Sequence, residues 1–432
     1  MKTTEIKALL ESHQLENWYQ ELYVDAQLFP AKKERFLQLL QKFTDSFPQE
    51  DIFLFSTPGR SEIIGNHTDH QNGKVIAASI NLDMIAFVGM NEHGINIISD
   101  GEVIETIDIN DLSVKQEEFN TSMALIRGVV ARFKDLGYHY GGFDAVITSD
   151  VLIGSGLSSS AAFEVLIGNI LNHCYNDGSV DAITLAKIGQ YSENVYFNKP
   201  SGLMDQMACA IGDLVYIDFK EKENPEVVQL QSPLTKNGFN LCVVNTGGSH
   251  ANLSGEYAAI VTEMKTIANE FDINLLSELD YDLFYQKIGQ LRKKVSDRAL
   301  IRAIHFDKEM KRVELLKNAI VNQDIQQFLF LIQASGNSSF RFLQNVMLPF
   351  DITEQSISVA LAASENILGS EGVCRVHGGG FAGTIQAFVP HHLVEQYKVT
   401  MESIFGEDSC SVLNIRPVGT CCIIDAGGIL NV

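Results

Sequence analysis

"GSGLSSSAA", residues Gly154–Ala162, follows the strand-like "GGFDAVITSD" and opens directly into the apolar run "FEVLIGNILNHCY". Strand, glycine and serine turn, then helix is an order built to hold phosphates. Glycines let backbone N–H groups approach an anion, and the helix adds its positive N-terminal end. No G-K-[ST] follows, so the turn is not a Walker A loop. By itself the stretch reads equally as a serine-capped helix start. Three consecutive serines nevertheless exceed what one cap needs, and one hydroxyl could bind Mg²⁺.

Upstream, "GRSEIIGNHTDHQNG" (Gly59–Gly73) crowds Arg60, Glu62, Asn66, His67, Asp69, His70 and Gln71 between two strand-like runs, "DIFLFSTP" and "KVIAASINLDMIAFVGM". Such a polar cluster is expected on a loop carried by a rigid scaffold, where binding groups are often found. Downstream, helical spacing puts Glu193 on one face with Leu185, Ile188, Ser192 and Tyr196. Its carboxylate then needs a cation or a hydrogen-bonded partner, unless it is partly solvated at the edge of the apolar stripe. Asp205 stands among Leu203, Met204, Met207 and Ala208. An acid in apolar surroundings suits a general base, and a first-turn role against the helix dipole is the plainer alternative. "RVHGGGFAGTIQAFV" (Arg375–Val389) adds a second glycine turn, by itself only a tight turn between strands.

The 432 residues, 45% hydrophobic, suffice for two domains with substantial cores. A formal charge of −22 argues against nucleic acid or an anionic membrane as the main partner. Seven scattered cysteines form no C-x-x-C pair, the N-terminus lacks an apolar leader, and no run reaches membrane-span length, so a cytosolic enzyme is expected. Residues 1–45 read as two helices split near "LFPAKK", an appendage on a first domain spanning 1–230. The polar stretch Asp218–Gly238 reads as the surface connection to a second domain, 231–432, with helices near 255–271, 279–322 and 353–368. Strands and helices alternate too loosely for a doubly wound sheet, so the fold class is α+β.

In this order the three motifs resemble those of galactokinases, within the GHMP small-molecule kinase superfamily, from about residue 50 to the C-terminus. Glu193 and Asp205 lie twelve apart, as do the family's magnesium-ligand Glu and catalytic Asp, and "NTGGSHANLSGEY" aligns with the segment ending in its sugar-contacting tyrosine. The resemblance implies a two-domain GHMP kinase fold, with a ribosomal protein S5 domain 2-like N-terminal domain and a ferredoxin-like C-terminal domain. It also implies ATP-dependent phosphorylation of a sugar's anomeric hydroxyl by a protein for which a monomer is expected. On that reading Asp205 accepts the hydroxyl proton, Arg60 keeps Asp205 ionised, and Ser160 and Glu193 hold Mg²⁺. Gly154, Ser155, Gly156, Leu157, Ser158, Ser159, Ser160, Gly379 and Gly380 contact ATP, while Asn66, His67, Asp69 and Tyr257 contact the sugar.

Several positions depart from the family pattern. Asn66 replaces a Glu that accepts from the sugar's 6-hydroxyl, Glu62 replaces an Asn, Leu152 a Pro, Gly336 the His of "S-H-x-S-L", and Ile260 an Arg. Galactose is the first expectation. A galacturonate-like or other C6-modified hexose is the alternative, because a neutral Asn66 would not repel a C6 carboxylate; a non-catalytic sugar sensor is another. A mevalonate or homoserine kinase is disfavoured by the sugar loop.

Overall fold

A computed structural model of the chain describes residues 1–151, 156–221, 223–248, 253–425 and 427–430. Its strands among these residues are β1 (Phe53–Ile64), β2 (Lys74–Asn91), β3 (Ile95–Ser99), β4 (Glu102–Ile107), β5 (Gly142–Ser149), β6 (Leu214–Asp218), β7 (Glu226–Leu230), β8 (Phe239–Asn245), β9 (Val373–Val376), β10 (Thr384–Pro390), β11 (Cys410–Leu413), β12 (Cys421–Asp425) and β13 (Gly428–Ile429). The chain divides into two compact units: Met1–Ser61 with Ala78–Asp213 and Asn414–Val432, and Glu62–Ala77 with Leu214–Leu413. A single crossing near residue 230 does not describe this division, because the sugar-loop segment and the C-terminal strands each join the unit remote from them in sequence. No described helix is long and apolar enough to cross a membrane, and all seven cysteines are free.

The first unit is built on a sheet of order β13-β12-β1-β2-β5-β3-β4, antiparallel at β1·β12, β2·β5 and β3·β4 and parallel at β3·β5. Successive strand residues face opposite sides. Leu54, Ile85, Phe87 and Val146 therefore meet the N-terminal helices through Ile6, Leu10, Trp18, Leu22, Phe36 and Phe43, whereas Phe55 meets His173 of the helix Ser159–Asn176 edge-on. The N-terminal region forms three helices, Thr3–Glu11, Glu16–Tyr23 and Phe29–Ser46, not two. The additional break falls where the Ser12 hydroxyl donates to the Leu9 carbonyl at 2.7 Å, a local bond that competes with continuing the helix.

That appendage is tied in by charge as well as by apolar packing. Asp83 on β2 is fully buried and accepts from Arg35 Nη1 at 2.6 Å, Ser56 Oγ at 2.5 Å, Tyr23 Oη at 3.0 Å and Arg416 Nη1 at 3.4 Å. Burial alone would raise its carboxyl, but Arg35, Lys32 and Arg416 bring it down to about 2.

The second unit holds an antiparallel sheet of order β11-β8-β10-β9. The chain runs β8, helices, β9, β10, helix, β11, which is the expected ferredoxin-like arrangement. The helices Ser356–Leu368 and Val394–Phe405 cover its apolar face through Ile357, Ala360, Tyr397 and Met401. The expected surface connection Asp218–Gly238 instead contains β7, paired with β6 from Leu214↔Leu230 to Asp218↔Glu226. The expected helix 279–322 is interrupted, giving Tyr281–Leu291 and Asp297–Val321, each started by a capping side chain, Asp280 and Ser296. A helix at Ile325–Ser338 was not expected from the sequence.

Candidate active site

The expected polar stretch is part strand and part loop. β1 continues through Ile64, so Arg60 and Glu62 are strand residues and only Gly65–Gly73 forms the turn. In the first unit β1 lies directly against the serine turn, with Arg60 N donating to Leu157 O at 3.1 Å. A Cβ at Gly59 would stand 2.9 Å from Val151 Cγ1 and 3.0 Å from Leu157 O, so glycine permits this approach.

Arg60 grips Asp205 with both arms: Nε donates to Oδ1 at 2.6 Å and Nη2 to Oδ2 at 2.6 Å, while Nη1 donates to Gly156 O at 2.5 Å. Ser158, held at φ 58°, donates its hydroxyl to the same Oδ2. Asp205 sits in the first turn of the helix Met204–Ile211. Burial pushes its carboxyl up, but Arg60 and the hydrogen bonds from Arg60 and Ser158 hold it below the ordinary carboxylate range. The group is thus ionised, partly exposed and fixed in orientation, as a proton acceptor must be.

Glu193 lies in a single π-helical turn, Ser192–Tyr196, that prolongs the helix Ala182–Tyr191. Gly128 makes room for it, since a Cβ there would meet Ser192 Oγ at 2.4 Å. The Glu193 side chain is 2% exposed, so the solvated reading of the sequence does not hold. Oε1 accepts from Ser160 Oγ at 3.1 Å and Lys199 Nζ at 2.7 Å; Oε2 accepts from Gln206 Nε2 at 3.0 Å. Ser160 and Glu193 thus bring two hard oxygen donors together, a set that fits Mg²⁺. Gly154 and Ser155, expected at the phosphates, and the substituted Leu152 lie outside the described residues; Gly156 and Leu157 are in the turn, and Ser159 and Ser160 open the helix.

The second unit assembles the sugar-loop residues. Asn66 is fully buried and its amide is completely engaged. Nδ2 donates to Glu62 Oε1 at 3.1 Å and Gly378 O at 2.6 Å, and Oδ1 accepts from Asn345 Nδ2 at 2.8 Å and Ser339 Oγ at 3.4 Å. His67 Nε2 lies 3.0 Å from Gly379 O, and Tyr257 donates to Gly380 O at 3.0 Å. A Cβ at Gly380 would stand 2.1 Å from Asn345 O, so the glycine run brings the third motif against these side chains. Burial, then neighbouring His70, pushes His67 down to about 3, leaving it neutral. The loop is backed by the helix Asp297–Val321, whose His305 Nε2 lies 2.9 Å from Asn66 O and whose Glu309 accepts from Gly65 N at 3.2 Å. Asp69, half-buried at the loop apex, acts on the neighbouring His70 through its charge, and His70 Nε2 is buried with no hydrogen-bond partner among the described residues.

Sequence reasoning missed Gln206, Glu164, Asn345, His305 and Glu309. The one available signal was a polar or charged side chain inside an apolar helix, as Glu164 in "AAFEVL" and Gln206 in "LMDQMACA".

Residues 124–213 match the GHMP kinases N terminal domain and residues 41–90 the galactokinase galactose-binding signature. The chain is 30% identical over 387 residues to the galactokinase of Limosilactobacillus reuteri (strain DSM 20016), covering 86% of this chain and 94% of that one. It is 30% identical over 381 residues to that of Lactobacillus helveticus, again covering 86% and 94%. The fold matches Lactococcus lactis galactokinase complexed with galactose at a TM-score of 0.75 and 24% identity, over 90% of this chain and 99% of that one. A mevalonate kinase matches at 0.57 and 14% identity, over 84% and 99%.

Proposed function

The chain belongs to the galactokinase family of the GHMP kinases, and from that premise we propose an ATP-dependent kinase that phosphorylates galactose at its anomeric hydroxyl, with Asp205 as proton acceptor. The bidentate Arg60–Asp205 pair beside the serine turn carries this reading. The sugar oxygen forms a bond to the γ-phosphorus as the bond from that phosphorus to the β–γ bridging oxygen breaks, and the hydroxyl proton passes to an Asp205 carboxylate oxygen. Arg60 keeps that carboxylate ionised and, with Ser158, aims it; it also offsets charge on the transferring group. Phosphoryl transfer asks the protein chiefly for positioning and electrostatics.

Ser160 Oγ and Glu193 Oε1 would hold Mg²⁺, and the amides of Gly156–Ser159 would cradle ATP. When bound, Mg²⁺ supplies charge neutralisation at the β- and γ-phosphate oxygens. His70 Nε2, buried with no hydrogen-bond partner among the described residues, and the neighbouring Asp69 carboxylate fit the hydroxyls of a sugar, with His67 and Tyr257 completing the binding set. Asn66 supports galactose over a C6 acid, since its amide has no free hydrogen to offer a carboxylate. ADP release with ATP and Mg²⁺ against galactose, galacturonate, glucose and N-acetylgalactosamine tests this. Galactose is expected to give the highest kcat/KM, and binding of galactose and ATP without ADP release would establish a sensor instead.

A further inference from the structure

Glu193 divides its two oxygens between different neighbours. Oε1 faces Ser160 and Lys199, while Oε2 is turned to Gln206. Gln206 is fully buried and adjoins Asp205 on the helix Met204–Ile211. Its Nε2 donates to Glu193 Oε2 at 3.0 Å and to Glu164 Oε2 at 3.0 Å, so both hydrogens of one amide are spent on two carboxyl groups. Glu164 is 1% exposed, and its Oε1 has no partner among the described residues. Gly189 permits the convergence, because a Cβ there would stand 3.2 Å from Gln206 Cγ and 3.2 Å from Glu164 Cβ. Two buried carboxyl groups meeting on one amide is a costly arrangement that apolar packing does not require.

We infer that Gln206 is a positioning residue: it holds Glu193 Oε2 so that Oε1 is presented, with Ser160, to the divalent cation, and it couples that oxygen rigidly to Asp205 one residue away. Glu164 in turn fixes the orientation of the Gln206 amide. The proposal rests on Glu193 being a metal ligand. Outer partners that orient a metal ligand are worth roughly 10- to 100-fold in metal affinity.

The test is Mn²⁺ binding to the purified full chain with a non-hydrolysable ATP analogue, followed by electron paramagnetic resonance, together with the Mg²⁺ concentration for half-maximal turnover and the KM for galactose. Gln206→Met, similar in length but without the donor, is expected to weaken Mn²⁺ roughly tenfold or more and to raise the Mg²⁺ requirement in parallel, with KM for galactose changed less than about twofold. Gln206→Met with Glu164→Gln removes the carboxyl group that the single variant leaves unpaired. Persistence of the metal defect in the double variant supports positioning of Glu193, whereas full recovery overturns it and assigns the loss to a stranded Glu164. Glu193→Gln separates the two levels. If it leaves Mn²⁺ binding intact, the metal-ligand reading fails; if it abolishes binding while Gln206→Met does not weaken it, only the present inference fails.

Discussion

Replacing Asp205 by Asn tests the catalytic assignment with almost no change in shape. Asp205 accepts from Arg60 through both oxygens at 2.6 Å, and Oδ2 accepts from Ser158 as well. Asn keeps one carbonyl oxygen and places an NH₂ where the other oxygen was, so a donor meets either Arg60 Nε or Arg60 Nη2. One charge-assisted hydrogen bond is lost, worth about 1.5–3 kcal/mol when buried. With the side chain 29% exposed, solvent screening reduces the expected stability loss to about 1–2 kcal/mol. The effect on rate is larger. A positioned base contributes roughly 10²- to 10⁴-fold, which is about 2.7–5.4 kcal/mol of barrier. Steady-state ADP release at saturating ATP and galactose reads the rate, urea denaturation reads the stability, and calorimetry should find ATP affinity within about threefold of the parent. A folded variant with kcat within tenfold of the parent would refute Asp205 as proton acceptor.

The other expectations follow from the same geometry. Because the folded Asp205 carboxyl lies below its ordinary 3.8, its ionised form contributes stability above that value and is lost only as pH falls through the lower folded one. kcat/KM should therefore show no Asp205 titration between pH 7 and 5, and Arg60→Met should move the acid limb upward; a parent limb above pH 5 that Arg60→Met leaves in place contradicts this. Asn66→Ala strands Gly378 O and part of the Glu62 and Asn345 side chains, at about 2–3 kcal/mol in urea denaturation, with the preference for galactose over galacturonate retained. Loss of that preference at unchanged stability would make Asn66 a specificity residue. Gly336→His is expected to destabilise by about 1–3 kcal/mol, since a Cβ at 336 would stand 2.8 Å from Arg375 Cβ; a neutral or raised melting temperature counts against that contact. Arg35→Met leaves fully buried Asp83 with fewer cations and should cost about 3–5 kcal/mol, read by thermal melting, with a change under 1 kcal/mol counting against the network.

The grouping of the first cluster was legible in the sequence because its motifs are local. Gly156 to Ser160, Glu193 and Asp205 sit within one unit, and their spacing along short helices carries the arrangement. Segment boundaries were less legible. Arg60 and Glu62 read as loop residues because polar side chains mask a strand whose backbone pairing continues beneath them, and β7 hid inside a charged stretch because its exposed face is polar. Glu62 and Asn66 looked like two separate departures; only the structure shows that the two side chains hydrogen-bond to each other at 3.1 Å. Glu309, His305 and Asn345 were invisible for a different reason. They reach the loop from more than 230 residues away, and no spacing rule carries that information.

The most direct measurement is ³¹P and ¹H NMR of the product formed from galactose, ATP and Mg²⁺. The account requires a single new phosphomonoester whose phosphorus couples to the anomeric proton, formed in step with ADP. Phosphate coupled to any other position, or ADP formed without a sugar phosphate, would contradict it.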